Sequence, residues 1–105
     1  MSHVIEWAPF RLKNGVTEAD ILAASDALQV AFLASQPGFV RRELVRADDG
    51  RYIDIVCWAT KEAADEAVAN AAKSASCGRY FSLMQAEDHD DPNAAVSHFR
   101  VVKRY

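Results

Sequence analysis

Apolar and polar positions along this 105-residue chain alternate with two different periods, and the change of period marks the elements. Residues 4–12, VIEWAPFRL, are rich in β-branched and aromatic side chains and read as a strand. Ile5 and Trp7 take one parity, and Val4, Ala8, Phe10 and Leu12 the other, so both faces of this strand need cover. Pro9 has no N–H to donate, which predicts a bulge or a ladder break there. Asn14-Gly15 turns the chain, and Thr17 has the chemistry to cap a helix running to about Ser35. Ile21, Ala24, Leu28, Ala31 and Phe32 form its apolar stripe, and Gln36-Pro37-Gly38 stops it. Phe39–Val45 is a second strand, whose Arg41, Arg42 and Glu43 suggest a charge-guarded sheet edge.

Asp48-Asp49-Gly50 is a hairpin turn leading into a third strand at 51–59. There Ile53, Ile55 and Cys57 face one way, and Tyr52, Asp54, Val56 and Trp58 the other. Thr60 caps a second helix with an almost purely alanine stripe, Ala64, Ala67, Val68, Ala71, Ala72 and Ala75, which breaks near Ser76-Cys77-Gly78. Residues 79–85 read as a short extra helical turn, and residues 94–105 as a last strand. The order β-α-β-β-α-β, with a direct hairpin and right-handed crossovers, predicts a ferredoxin-like α+β fold. Its four-stranded antiparallel sheet has strand order 4-1-3-2, with both helices on one face. The other face is apolar and uncovered. The expected cover is a second copy of the chain, two sheets closing into a barrel-like core.

Composition narrows the partners more than the chemistry. The length suits one domain spanning 1–105, with half the residues hydrophobic. A net charge of −3 and scattered basic residues argue against nucleic acid and anionic membranes. No apolar run is long enough to span a bilayer, and the first residues lack the pattern of a signal peptide. Cys57 and Cys77 form no CxxC and are expected to be reduced thiols in a cytoplasmic protein.

Several segments in this order and spacing carry a family resemblance: Pro37-Gly38-Phe39, the Asp49-Gly50 turn followed by Asp54 and Trp58, and Cys77 through Phe81. The chain resembles the dimeric α+β barrel superfamily, and within it the small proteins grouped with the antibiotic-biosynthesis monooxygenases. The resemblance implies a homodimer with sheets packed face to face and a small-molecule cavity between helices and sheet. It leaves the activity open: some members oxidise aromatic polyketides with O₂ and no cofactor, others degrade haem, and many have no assigned activity. The haem-degrading branch keeps an Asn in the first strand and a Trp and a His in or after the second helix. Here Ala8 and Ala67 stand near the Asn and Trp positions, and no His occurs between Thr60 and Gln85, so haem degradation is not expected and no cofactor is implied.

Three groups of residues are candidates for chemistry. EDHDDP, Glu87 to Pro92, concentrates carboxylates around His89, but it has neither the glycine nor the alternating spacing of a Ca²⁺ loop. It reads as a solvated linker and not as a metal site. Glu6, Asp54 and His98 interrupt otherwise apolar strands that neighbour one another in the predicted order. They serve either as a general acid/base set for a phenol-like substrate or as structural ions satisfying one another. Trp7, Trp58, Tyr52, Tyr80 and Phe81 can line a pocket for a flat ligand or fill the core. Cys77 has no base beside it in sequence and reads as inert. Two functions stay open: cofactor-independent, monooxygenase-like oxidation of a small aromatic or quinol-like compound, and a non-catalytic small-ligand-binding or stress-associated homodimer.

Overall fold

The computed structural model describes residues 3–86, 90–92 and 94–105. The elements are β1 (Val4–Phe10), α1 (Glu18–Ala31), β2 (Phe39–Arg46), β3 (Tyr52–Trp58), α2 (Lys61–Ala71), α3 (Ala75–Ser82) and β4 (Ser97–Arg100). The sheet is antiparallel throughout with order β2-β3-β1-β4, the predicted order read from its other edge.

Register decides which side chains meet. Glu6 lies opposite Val56 on β3 and His98 on β4, and Ala8 lies opposite Asp54. Arg42 on β2 lies opposite Val56. Because side chains alternate along a strand, Val4, Glu6, Phe10, Arg42, Tyr52, Asp54, Val56, Trp58 and His98 all belong to one face. That face meets the helices: Ile21, Leu28 and Phe32, Ala64 and Ala67, and Cys77 and Tyr80 pack with Tyr52, Val56 and Trp58 in one buried cluster.

The opposite face carries Ile5, Trp7, Ile53, Ile55, Cys57 and Phe99, and its cover is partial. The chain's own ends lie over Cys57: Arg104 Nη2 is 3.3 Å, and His3 Nδ1 3.8 Å, from its thiol sulfur. Trp7 and Phe99 stay 37% and 53% exposed. Among the described residues no helix is long and apolar enough to cross a membrane.

Several boundaries differ from those read in the sequence. β1 pairs with β3 without interruption through Pro9; the register shift falls instead on β2, between Phe39 and Arg41. β4 reaches only as far as Trp7, so one side of Pro9 has no strand whose ladder its missing N–H could break. α1 ends at Ala31, and Phe32, with φ −133°, swings the chain into a 3-10 turn at Leu33–Ser35. That swing buries Leu33 and leaves Ala31 exposed. Val68, Ala72 and Ala75 are likewise exposed, so the buried side of α2 is narrower than its alanine stripe. The extra turn is a capped helix, α3, whose first turn is held by Ser74 Oγ accepting from Cys77 N–H. The last strand is only four residues long, although Val101 N–H still donates to the His3 carbonyl.

Gly38 joins the two layers. Its φ of +78° is one that only glycine adopts without strain, and an added Cβ would lie 2.6 Å from Ala63 Cβ on α2. Gly15 has a similar φ, +86°, but open space around it. Gly38→Ala is therefore expected to destabilise the chain by about 2–4 kcal/mol, strain and overpacking together. Gly15→Ala is expected to cost only about 1 kcal/mol. Urea unfolding of both variants checks this, and equal losses would refute the claim that the α2 contact matters.

Candidate functional site

α2 presents Ala67 and Ala71 toward the sheet, and these side chains are too short to fill the space between the layers. A cavity of about 850 Å³ remains there. Glu6, Ala8, Asp54 and Val56 of the sheet line it, together with Phe32, Ala67, Tyr80 and Phe81 of the helix layer. Its walls are thus mostly apolar with a few ionisable groups, as small-molecule sites generally are.

One of those groups, Asp54, is fully engaged. Arg42 Nε donates to Asp54 Oδ1 at 2.7 Å and Arg42 Nη2 to Oδ2 at 3.0 Å, a two-pronged contact. Tyr80 Oη donates to Asp54 Oδ2 at 2.8 Å and accepts from Arg42 Nη2 at 3.2 Å. Arg42 Nη1 reaches the Ser25 carbonyl at 3.4 Å and Gln29 Oε1 at 3.5 Å on α1. The Arg42 and Asp54 side chains are only 6% and 11% exposed. Burial pulls the Arg42 pKa down, but its hydrogen bonds to Asp54 and that residue's charge outweigh this and hold the guanidinium even more firmly protonated than usual. Burial and the same carboxylate push the Tyr80 phenol far upward, so it remains a neutral donor.

Glu6 is the contrasting group. It lines the cavity with its side chain 17% exposed, and its Oε1 lies 3.7 Å from His98 Nε2. Burial raises its pKa above the ordinary 4.5, and the Asp54 charge pushes the same way. His98 and the nearby Trp58 indole oppose that shift without cancelling it. Trp58 Nε1 is buried and makes no hydrogen bond of ordinary geometry among the described residues. Glu6 is thus a carboxylate that gains by taking up a proton, at the wall of a cavity.

Glu6, Asp54 and His98 share one face of the sheet, which strand parity read around Pro9 leaves open. Glu6 and Asp54 line the cavity; His98 sits behind Glu6 on the edge strand and does not. Among the aromatics, Tyr80 and Phe81 line the cavity, Trp58 and Tyr52 lie buried in the core, and Trp7 is on the opposite face. Phe10 stacks on Tyr52 at 5.6 Å and meets Tyr80 edge-on at 5.9 Å, forming a wall that sequence reasoning left unassigned. Arg42 was equally missed as a site residue. Its signal was the hairpin, since counting back from Asp49-Gly50 puts it on the same face as Asp54. Cys77 also lines the cavity, and burial pushes its thiol pKa up, which makes it a poor nucleophile. In the acidic stretch, Glu87, Asp88 and His89 lie outside the described residues.

No family model and no curated protein matches the sequence. Solved structures do match, over nearly the whole chain. SnoaB, a cofactor-independent oxygenase from Streptomyces nogalater, is 23% identical with a TM-score of 0.68, over 100% of this chain and 96% of that one. A Bordetella bronchiseptica protein provisionally described as an antibiotic biosynthesis monooxygenase is 19% identical with a TM-score of 0.72, over 98% of this chain and 100% of that one. The heme-degrading protein Rv3592 from Mycobacterium tuberculosis is 17% identical with a TM-score of 0.59, covering 98% of each chain. The chain thus has the fold of the antibiotic-biosynthesis monooxygenase-like proteins, as its resemblance implies. At these identities the likeness concerns the fold, and proteins of different activity share it.

The paired state of Asp54 has a direct test. Arg42→Ala leaves a buried carboxylate without its cation and is expected to cost about 3–5 kcal/mol. Replacing the pair together, Arg42→Met with Asp54→Leu, is expected to restore most of that loss. Urea denaturation of the three proteins measures both; a loss under 1 kcal/mol for Arg42→Ala would contradict the buried pair.

Proposed function

We propose that the chain is a monooxygenase-like enzyme that oxidises a small aromatic or quinol-like compound with O₂, without a cofactor, in the cavity between sheet and helices. The observation that carries this reading is Glu6, a desolvated carboxylate with a raised pKa on the cavity wall, backed by His98. Glu6 is the general base and His98 its charge partner. Asp54 acts through Glu6: tied to Arg42 and Tyr80, it adds negative charge nearby and makes Glu6 more basic. Tyr80 and Phe81 contact the ligand, with Trp58 and Tyr52 supporting from the core.

For a phenol with a free para position the steps balance as follows. Glu6 takes the phenol proton, and the anion delocalises onto the para carbon. That carbon gives one electron to O₂, and the resulting radical and superoxide join in a C–O bond. Protonated Glu6 returns its proton to the peroxide. Glu6 then removes the ring proton; the C–H electron pair forms the carbonyl as the O–O bond breaks. The departing hydroxide takes the proton from Glu6 and leaves as water. One phenol and one O₂ become one quinone and one H₂O, and Glu6 ends ionised.

With 1-naphthol as the probe, wild type is expected to consume O₂ and form 1,4-naphthoquinone. Glu6→Gln is expected to slow this by about 10²-fold or more, the usual loss with a general base. Tight binding without oxygen uptake would favour the alternative, a non-catalytic ligand-binding homodimer. Stability supplies an independent check. Because the folded pKa of Glu6 lies above 4.5, the folded state holds the extra proton, and its stability falls as pH rises through that window. Relative to wild type, Glu6→Gln should therefore gain stability between pH 4 and pH 7. A constant difference across that range would refute the raised pKa.

The same reading includes a homodimer through the open sheet face, supported by the exposed Trp7 and Phe99 beside Ile55. Light scattering at micromolar concentration is expected to give twice the 11.6 kDa chain mass, and Trp7→Asp is expected to shift it to monomer. A monomeric wild type would end the dimer proposal.

A further inference from the structure

Glu6 lies between two donors on its own side of the sheet, and neither has closed on it. His98 Nε2 is 3.7 Å from Oε1, longer than a hydrogen bond. Trp58 Nε1 is the other donor. Along β3, Val56 faces Glu6, and Trp58 follows two residues later on the same face, opposite Val4. Its indole is near enough to pull the Glu6 pKa down against the upward push of burial. An indole N–H can only donate, and this one is buried without a partner of ordinary geometry among the described residues. The ring that carries it is fixed: Trp58 is 2% exposed, and Phe39 meets it edge-on at 5.9 Å. A buried donor left unmatched costs free energy that an acceptor restores. Trp58 lies in the core behind the cavity wall, so the acceptor within its reach is the carboxylate of Glu6 and not a ligand.

We propose that Trp58 is the positioning residue of Glu6: its indole N–H holds the carboxylate while it is ionised and loosens its hold when that group takes a proton. This rests on the reading of Glu6 as the base of the cavity. A hydrogen bond to an ionised group is stronger than one to its neutral form, so Trp58 favours the state in which Glu6 has given its proton up. The proposed reaction needs that release twice, at the peroxide and at the departing hydroxide. Trp58 also acts from β3, which is paired on both sides, whereas His98 acts from the short edge strand. The other titratable groups facing Glu6 are Asp54 on β3, tied to Arg42 on β2, and, across the cavity, Cys77 and Tyr80 on α3. Toward the same space α1 presents Leu28, and α2 presents Ala67 and Ala71, none of which titrates.

The test needs no substrate. The indole N–H resonance of Trp58 is followed by NMR between pH 4 and pH 7, with Trp7 as the control and Trp58→Phe to assign the peak. The Trp58 proton is expected to move downfield as Glu6 ionises, and to lose that step in Glu6→Gln. An indole indifferent to pH overturns the proposal, and so does a step that survives in Glu6→Gln, because His98 then causes it. The Glu6 carboxyl carbon is read in the same way. In Trp58→Phe its proton affinity is expected to rise about tenfold, the usual worth of a hydrogen bond to a charged group. An unchanged affinity in the folded variant overturns the role of Trp58; if the variant does not fold, wild type against Glu6→Gln decides. Oxygen uptake with 1-naphthol is judged separately. A Trp58 step without turnover ends the enzyme reading and leaves the contact standing, and turnover without the step does the reverse.

Discussion

The structure depends most on one buried ion pair. Arg42 and Asp54 sit on neighbouring strands, and their hydrogen bonds extend to Tyr80 on α3 and to Ser25 and Gln29 on α1. Four elements thus converge on a single guanidinium–carboxylate contact. A pair this deeply buried contributes little net stability against an apolar replacement of equal volume. What it does is specify geometry: neither charge can remain buried unless β2, β3 and both helices keep their positions. The wall of the cavity is therefore set by electrostatics, whereas the opposite wall, α2, is set by the shortness of alanine.

That combination explains how a small domain keeps an internal space open. Apolar cavities cost stability because their lining loses contacts. Here one side cannot collapse without displacing a network that satisfies both charges, and the other has no longer side chains to move in. The negative charge of Asp54 also reaches Glu6, which has no guanidinium of its own. Two carboxylates on one sheet face thereby differ in character: one is tied to Arg42 and Tyr80 by hydrogen bonds, and the other, with its pKa raised by burial, takes up a proton more readily than a free carboxylate.

Strand and helix periodicity made the element order and the sheet topology legible in the sequence, and the register puts Glu6, Asp54 and His98, singled out there, on one face. Each of those depends on local spacing. The errors have a common physical source. Arg42 looked like edge protection because charge on an outer strand is normally solvated; its burial becomes visible only when parity is counted from the hairpin and set beside Asp54. Trp7 looked like a pocket residue because an aromatic side chain does not announce its face. Ala31, Val68 and Ala72 looked buried because helical periodicity says which residues share a side, but not how wide the contact with the sheet is. The cavity was the least legible feature, since it consists of side chains that are not there.

The open sheet face bears on the site as well. His98 lies on β4, the sheet edge, and β4 pairs with β1 over four residues only, Val4 to Trp7. Trp7 and Phe99, on the other face of those same two strands, are large and exposed. A partner packed against them would bury apolar surface and hold β4 against β1, and so hold His98 beside Glu6. Without such cover, a four-residue edge strand is among the first parts of a sheet to open. The proposed dimer and the proposed base would then be linked through one short strand. Side chains on the open face and on the helix face alternate along it, so on the proposed reading a change that loosened a dimer contact there would also loosen His98 beside Glu6.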